Sequence, residues 1–191
     1  MSEQPVAPAQ PLANFQYEIY AAGLAGQTPA LPVSGIELQQ RARELLSPQA
    51  YGYVAGGAGA ELTMDANLSA LARQEIVPRM LRDVSERDLS TSVLGTAMPA
   101  PVMLAPVGVQ SIVHADGELA VARAAAAHGL PYILSTAASH TIEDVAAAAP
   151  NASRWYQLYW PKDRELAASF VARAGASGFG AIVLTLDTWM L

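Results

Sequence analysis

Cysteine is absent from this 191-residue chain, which excludes a disulfide framework, a thiolate nucleophile and a Cys-ligated zinc site. No metal site is expected, and a cytoplasmic location is the default. Basic residues are scarce: 11 Lys plus Arg face 17 Asp plus Glu, a net charge of -6. They form no stripe, which argues against a nucleic-acid partner. Long apolar runs are missing as well. Glu118, Arg123, Asp144, Arg164 and Arg173 recur along the later part of the chain, so nothing approaches the roughly 18 to 20 uninterrupted apolar residues of a membrane span. The opening MSEQPVAPAQPLANF carries no basic cluster followed by an apolar run, so neither a secretory nor a mitochondrial signal is read there. The chain does hold the makings of a core. Hydrophobic residues make up 52% and charged residues 15%, which excludes a disordered protein or a low-complexity array. The partner to look for is a small molecule.

Residues 1–13, rich in Pro, Ala and Gln, read as a mobile tail. Residues 14–99 read as a helical extension leading into the main domain. A first helix is expected from Ser34, which with Glu37 forms an S-x-x-E capping box, through Leu46. A second starts at Ser47-Pro48 and stops at Gly56, Gly57 and Gly59, and a third covers Asp65 to Leu71. Leu89 to Leu94, with Gly95 as a turn, reads as a short extended piece.

From residue 100 the pattern changes and repeats. Four apolar segments of strand length, PVMLA (101–105), PYILS (131–135), WYQLY (155–159) and AIVLTL (181–186), alternate with helical segments at 116–128, 141–149 and 163–174. Asp116 and Thr141 are expected as N-caps, with Gly129 and Gly175 as stops. Apolar strands without polar alternation, separated by helices, predict an α/β fold with a parallel sheet covered by helices. A doubly wound sheet and a (β/α)8 TIM barrel share that alternation. A Rossmann sheet would place G-x-G-x-x-G after its first strand, and Gly56-Gly57-x-Gly59 follows a helix instead, so the barrel is favoured. Eight βα units need about 200 to 250 residues, while four strands fit here. The expectation is an N-terminal half-barrel with an open edge.

In either architecture chemistry gathers at the carboxyl ends of the strands. Those ends carry Ala105-Pro106-Val107-Gly108, Ser135-Thr136, Gln157 with Tyr159, and Thr185 with Asp187. At these positions the sequence resembles the FMN-dependent 2-hydroxy acid oxidases and dehydrogenases, closest to the lactate 2-monooxygenase branch. The matching segments are Tyr51-Gly52-Tyr53-Val54-Ala55-Gly56-Gly57, Pro78-Arg79-Met80-Leu81, Ala105-Pro106-Val107-Gly108, Leu134-Ser135-Thr136, Gln157-Leu158-Tyr159 with Lys162-Asp163, and Leu184-Thr185-Leu186-Asp187-Thr188. The opening Asn14-Phe15-Gln16-Tyr17, Gly108 and the ending Asp187-Thr188-Trp189-Met190-Leu191 point to the monooxygenase branch.

The resemblance implies an FMN-binding TIM barrel, with residues 100–191 as its first half, and a soluble homo-oligomer in the complete protein or a complementary C-terminal half as partner. The implied activity is oxidation of a small L-2-hydroxy acid, L-lactate by preference, with oxygen as acceptor and, in the monooxygenase branch, decarboxylation to acetate. A histidine base takes the hydroxyl proton while the α-hydrogen leaves to the flavin. By similarity Tyr53 binds the substrate carboxylate, and Tyr159 contacts the reacting oxygen as the catalytic residue present in this chain. The backbone of Pro106, Val107 and Gly108 lies along the flavin, whose ring is hydrogen-bonded by Ser135, Gln157 and Thr185. The family's histidine base, carboxylate-binding arginine, flavin-side lysine and phosphate site belong to the later half of the barrel, and none has a counterpart here.

Each feature also has a plain structural reading. Tyr53 and Tyr159 would serve as packing aromatics, Gly108 would meet a backbone requirement, and Asp187 would hold the barrel rim. His114, His128 and His140 read as surface or capping residues, Arg79 and Arg82 as solvated. Gln157 resists such a reading, because a polar side chain inside an apolar strand needs a buried partner. Two alternatives to the oxidase remain: an inactive half-barrel or interaction module that needs a complementary half, and another barrel enzyme for a phosphorylated ligand.

Overall fold

The computed structural model describes residues 14–188. The expected tail at 1–13 and the last three residues of the Asp187 to Leu191 ending lie outside them. The chain divides into two compact units, residues 1–61 and 62–191.

In the first unit three helices follow one another: α1 (Asn14–Leu24), α2 (Gly35–Leu45) and α3 (Pro48–Ala55). The Ser34 hydroxyl accepts from the Glu37 N–H, and the Ser47 hydroxyl from the Ala50 N–H at 3.2 Å, so both predicted starts are capped as their residue types demand. The helix α1 is an addition to the sequence reading. Its Phe15, Tyr17, Tyr20 and Leu24 are all exposed.

The second unit begins with α4 (Leu62–Ala72) and a hairpin of β1 (Thr91–Val93) and β2 (Thr96–Met98). Leu94 and Gly95, both at positive φ (48° and 76°), make its two-residue turn, whose hand matches the strand twist. The extended piece expected here is therefore one arm of a hairpin. The unit's body runs α5 (Gly117–Ala127), β3 (Tyr132–Leu134), α6 (Ile142–Ala148), β4 (Arg154–Tyr159), α7 (Arg164–Ala176) and β5 (Ala181–Thr185). The three strands pair in parallel in the order β3-β4-β5, with Tyr156 opposite both Leu134 and Ile182. Strand, helix, strand and helix alternate as expected for an α/β barrel unit.

The first expected strand is weaker than its sequence suggests. Segment 101–105 contributes a single parallel bridge, Leu104 to Tyr132, in which Leu104 N–H donates to Pro131 O and Leu104 O accepts from Ile133 N–H. Pro101 at the start of the segment and Pro106 just after it carry no N–H, so neither can donate to a ladder. Two helix ends also differ from expectation. Asp116 makes no capping bond and instead meets Arg123 at 2.5 Å. The helix α7 passes through Gly175, and the turn that follows it uses Gly178 at φ 77°.

The core lies between the sheet and its helices, with Tyr132, Leu134, Val145, Tyr156 and Ala174 essentially inaccessible. Burial raises the pKa of the Tyr156 phenol, as expected of a hydroxyl in an apolar setting. Arg154 closes the amino end of β4. Its guanidinium donates to the carbonyls of Ala149, Pro150 and Ser177 and stands 5.5 Å from the Phe179 ring centroid. Strand β4 is buried from Arg154 to Leu158, while β5 alternates, leaving Ile182 and Leu184 exposed. Among the described residues no helix is long and apolar enough to cross a membrane.

Leu134 closes β3 at 1% exposure, so Leu134→Ala should lower unfolding stability by about 2–5 kcal/mol. Denaturant titration followed by circular dichroism reads that loss.

Candidate functional site

The carboxyl ends of β3, β4 and β5 hold a connected run of neutral polar side chains. Gln157, next to last but one in β4, is only 2% exposed. Its Oε1 accepts from the Ser135 hydroxyl and from the Thr136 N–H, each at 3.2 Å, and its Nε2 donates to the Thr185 hydroxyl at 2.7 Å. One amide therefore ties all three strand ends together. This is the buried partner that a glutamine in an apolar strand requires.

Two further bonds stiffen the same edge. The Thr136 hydroxyl donates to the Gln157 carbonyl at 2.6 Å and accepts from the Tyr159 N–H at 3.1 Å. The Ser135 hydroxyl in turn accepts from the Ala137 N–H at 3.1 Å. Thr136 is thus as central to the edge as the residues around it. Its signals in the sequence are its place after a strand and its membership of the Leu134-Ser135-Thr136 segment.

Beside this run lies an open, mainly apolar hollow of about 790 Å³, lined among others by Thr136, Tyr159, Trp160, Phe170, Thr185 and Asp187. Tyr159 and Thr185 are half-buried in its wall, whereas Ser135 and Gln157 are buried. Pro106, Val107 and Gly108 occupy the turn after Leu104, with Val107 48% exposed. That turn adjoins the Ser135 to His140 turn through the Val109 N–H, which donates to Ala137 O at 2.9 Å. Tyr53 belongs to the other compact unit, on α3, and is exposed there.

One histidine departs from the surface or capping role expected of all three. His114 and His128 do flank α5, His114 Nδ1 accepting the Asp116 N–H and His128 closing the helix. His140 instead brings Nδ1 to 2.7 Å from Oε2 of Glu118, a carboxylate with no solvent exposure. Burial alone would raise the Glu118 pKa, but the bonds from His140 and from the Ser139 and Gln110 amides outweigh it and hold the group below its ordinary value. Glu118 was missed in the sequence, although a lone acid in the small-residue helix GELAVARAAAA was its available signal.

The sequence model of the FMN-dependent dehydrogenase family matches residues 42–191, most of the chain and all of the strand ends just described. The chain belongs to this family. Among its relatives, an FMN-dependent alpha-hydroxy acid dehydrogenase of Penicillium citrinum is 42% identical over 93% of this chain and 44% of its own length. An L-lactate oxidase of Lysinibacillus sphaericus is 45% identical over 88% of this chain and 43% of its own. A crystal structure of mandelate oxidase with 3,3-difluoro-2-hydroxy-3-phenylpropionic acid superposes with a TM-score of 0.78 at 39% identity, over 83% of this chain and 47% of that one. The fold is thus that of the TIM-barrel oxidases, and the chain spans under half the length of the family members it matches.

The amide of Gln157 has no apolar substitute. Gln157→Leu would leave the Ser135 hydroxyl, the Thr136 N–H and the Thr185 hydroxyl without that partner, so a loss of about 1–3 kcal/mol for each group that stays buried and unsatisfied is expected. Equilibrium unfolding should show Gln157→Leu well below Gln157→Glu, which keeps the acceptor.

Proposed function

We propose that this chain supplies about the first four βα units of an FMN-binding barrel that oxidises a small L-2-hydroxy acid, with L-lactate preferred and oxygen as acceptor. The observation that carries this reading is the neutral run Ser135, Gln157 and Thr185 across three adjacent strand ends. A flavin ring presents donors and acceptors along one edge and carries no fixed charge there, so neutral amide and hydroxyl groups suit it. Among the described residues Gln157 shows one of its two Nε2 hydrogens bonded, and Thr185 accepts while keeping its own hydroxyl hydrogen. Both can donate to such a ring. When bound, FMN supplies the two-electron acceptor for the substrate's α-hydrogen.

The chain's own residues divide the remaining work. The backbone of Pro106, Val107 and Gly108 faces the flavin, and Ser135 orients Gln157 from below. Tyr159, in the wall of the hollow, sets its hydroxyl against the reacting oxygen of the substrate, and Tyr53 takes the carboxylate. Asp187 holds the rim. The apolar hollow excludes water around a small hydroxy acid. The protein acts in the cytoplasm, as a homo-oligomer or with a complementary half. The exposed Ile182 and Leu184 of β5, which pairs on one side among the described residues, support the pairing of this half-barrel with the remaining βα units.

By this reading the 191 residues by themselves retain FMN weakly and do not reduce it with L-lactate, whereas the completed barrel does both. Visible absorption after gel filtration, and its bleaching by L-lactate without oxygen, checks each arm. Bleaching with the 191 residues alone would overturn the assignment of the proton-accepting base to the other half, and a completed barrel that takes up no FMN would overturn the flavin reading.

Gly108 bears on the finer assignment, oxidative decarboxylation to acetate. A methyl group added at the turn facing the flavin shifts the reacting groups, and displacements of about 1 Å can change rates by roughly a hundredfold. Gly108→Ala in the completed protein should slow reoxidation by oxygen and release pyruvate and peroxide in place of acetate. Product analysis decides it: an unchanged ratio removes Gly108 from the site.

A further inference from the structure

Glu118 is buried, ionised and far from idle. Its Oε1 accepts from the Gln110 N–H at 3.1 Å and from the Ser139 N–H at 2.9 Å, while Oε2 meets His140 Nδ1 at 2.7 Å. One carboxylate therefore joins the turn after the first barrel segment to the turn after β3. Gln110, itself buried, extends the join: its Nε2 donates to the Val107 carbonyl and to the Tyr132 hydroxyl, each at 3.2 Å. The Ser111 N–H adds a bond to the Ser139 hydroxyl at 3.2 Å.

Between Val107 and Gln110 the backbone is strained. Val109 sits in the left-handed region at φ 50° and ψ 41°, where a β-branched residue is rare and costly. Its side chain is 38% exposed, so packing does not explain the conformation. Hydrogen bonds on both sides do, because the Val109 and Gln110 amides are the donors to Ala137 O and to Glu118. The start of the helix that follows, α5, is shaped for the same contact. Gly117 has φ 38°, and a Cβ there would stand 3.1 Å from the Ser111 nitrogen, so a side chain would be strained and tight where Glu118 approaches the turn.

We infer that Glu118 is the positioning residue of the 107–110 turn, its carboxylate holding Val109 in a strained conformation and so setting the path of the Val107-Gly108 backbone. What that backbone faces rests on the flavin reading above; the clasp itself does not. A carboxylate suits the task better than a neutral acceptor because bonds from N–H groups to a charged oxygen are shorter and stronger.

Amide hydrogen exchange on the 191-residue chain tests the clasp directly. In Glu118→Ala the amides of Val109, Gln110 and Ser139 should exchange roughly ten- to a hundredfold faster, while those of Tyr156 and Leu158 in β4 keep their wild-type rates. Glu118→Gln, which retains an oxygen for the two amides, should fall between and serves if the alanine variant does not fold. Adding Val109→Gly to either variant should restore part of the protection, since glycine adopts that backbone without strain. Unchanged exchange at Val109 and Gln110 in both Glu118 variants, or no rescue by Val109→Gly, overturns the inference. In the FMN-loaded complete protein Glu118→Ala should also displace the visible flavin bands, and bands identical to wild type overturn the link from Glu118 to the backbone's path. A complete protein that binds no FMN, with exchange accelerated as expected, leaves the clasp supported and removes the flavin reading alone.

Discussion

The side-chain amide of Gln157 is the joint on which the strand ends depend. Parallel strands meet laterally through their backbones, and beyond their last residues the ladder gives no further hold. Here the amide carries the connection onward: two donors from the β3 turn reach its oxygen, and its nitrogen reaches Thr185 at the end of β5. Because the group is 2% exposed, water cannot replace a missing partner, and the three strand ends must keep their register for the amide to be satisfied. The hollow beside them inherits its shape from that requirement.

A second polar joint, of opposite electrical character, sits one turn away. Glu118 is charged where Gln157 is neutral, and its partners are backbone amides and an imidazole rather than hydroxyls. A buried charge without partners is costly, so its three bonds are the condition for its being there at all. Its field is felt by its surroundings: burial first, and the negative Glu118 second, raise the pKa of the Tyr132 phenol. The neutral joint stands at the strand ends, where a flavin ring edge is proposed, and the charged one joins the turn after Leu104 to the turn after β3.

Contrast these joints with the surface. Glu143 and Arg173 make a two-bond ion pair between α6 and α7 at 2.7 and 2.8 Å, and the bonds from Arg173 lower the glutamate to about 2. Both side chains are exposed, and such pairs add little to stability. The helices are held to the sheet by Val145, Ala174 and their neighbours in the core.

Much of this was legible in the residues. The alternation of apolar strand segments and helices follows from local chemistry, as do the caps at Ser34, Ser47 and Thr141, and the strand-end motifs identify the family. Gln157 announced itself as a polar residue in an apolar strand. Segment 101–105 and the cap expected of Asp116 differ for local reasons, the prolines without donors and Arg123 seven residues on, whereas the role of His140 differs for a tertiary one, a glutamate more than twenty residues away in sequence. The order of the elements and the chemical types at the strand ends follow from local chemistry, because propensity, capping and burial pattern act over a few neighbouring residues. That Ser135, Gln157 and Thr185 satisfy one another, and that Glu118 bonds the turn holding a strained Val109, is a property of the folded chain alone, because hydrogen bonds between distant segments exist only once those segments have come within about 3 Å.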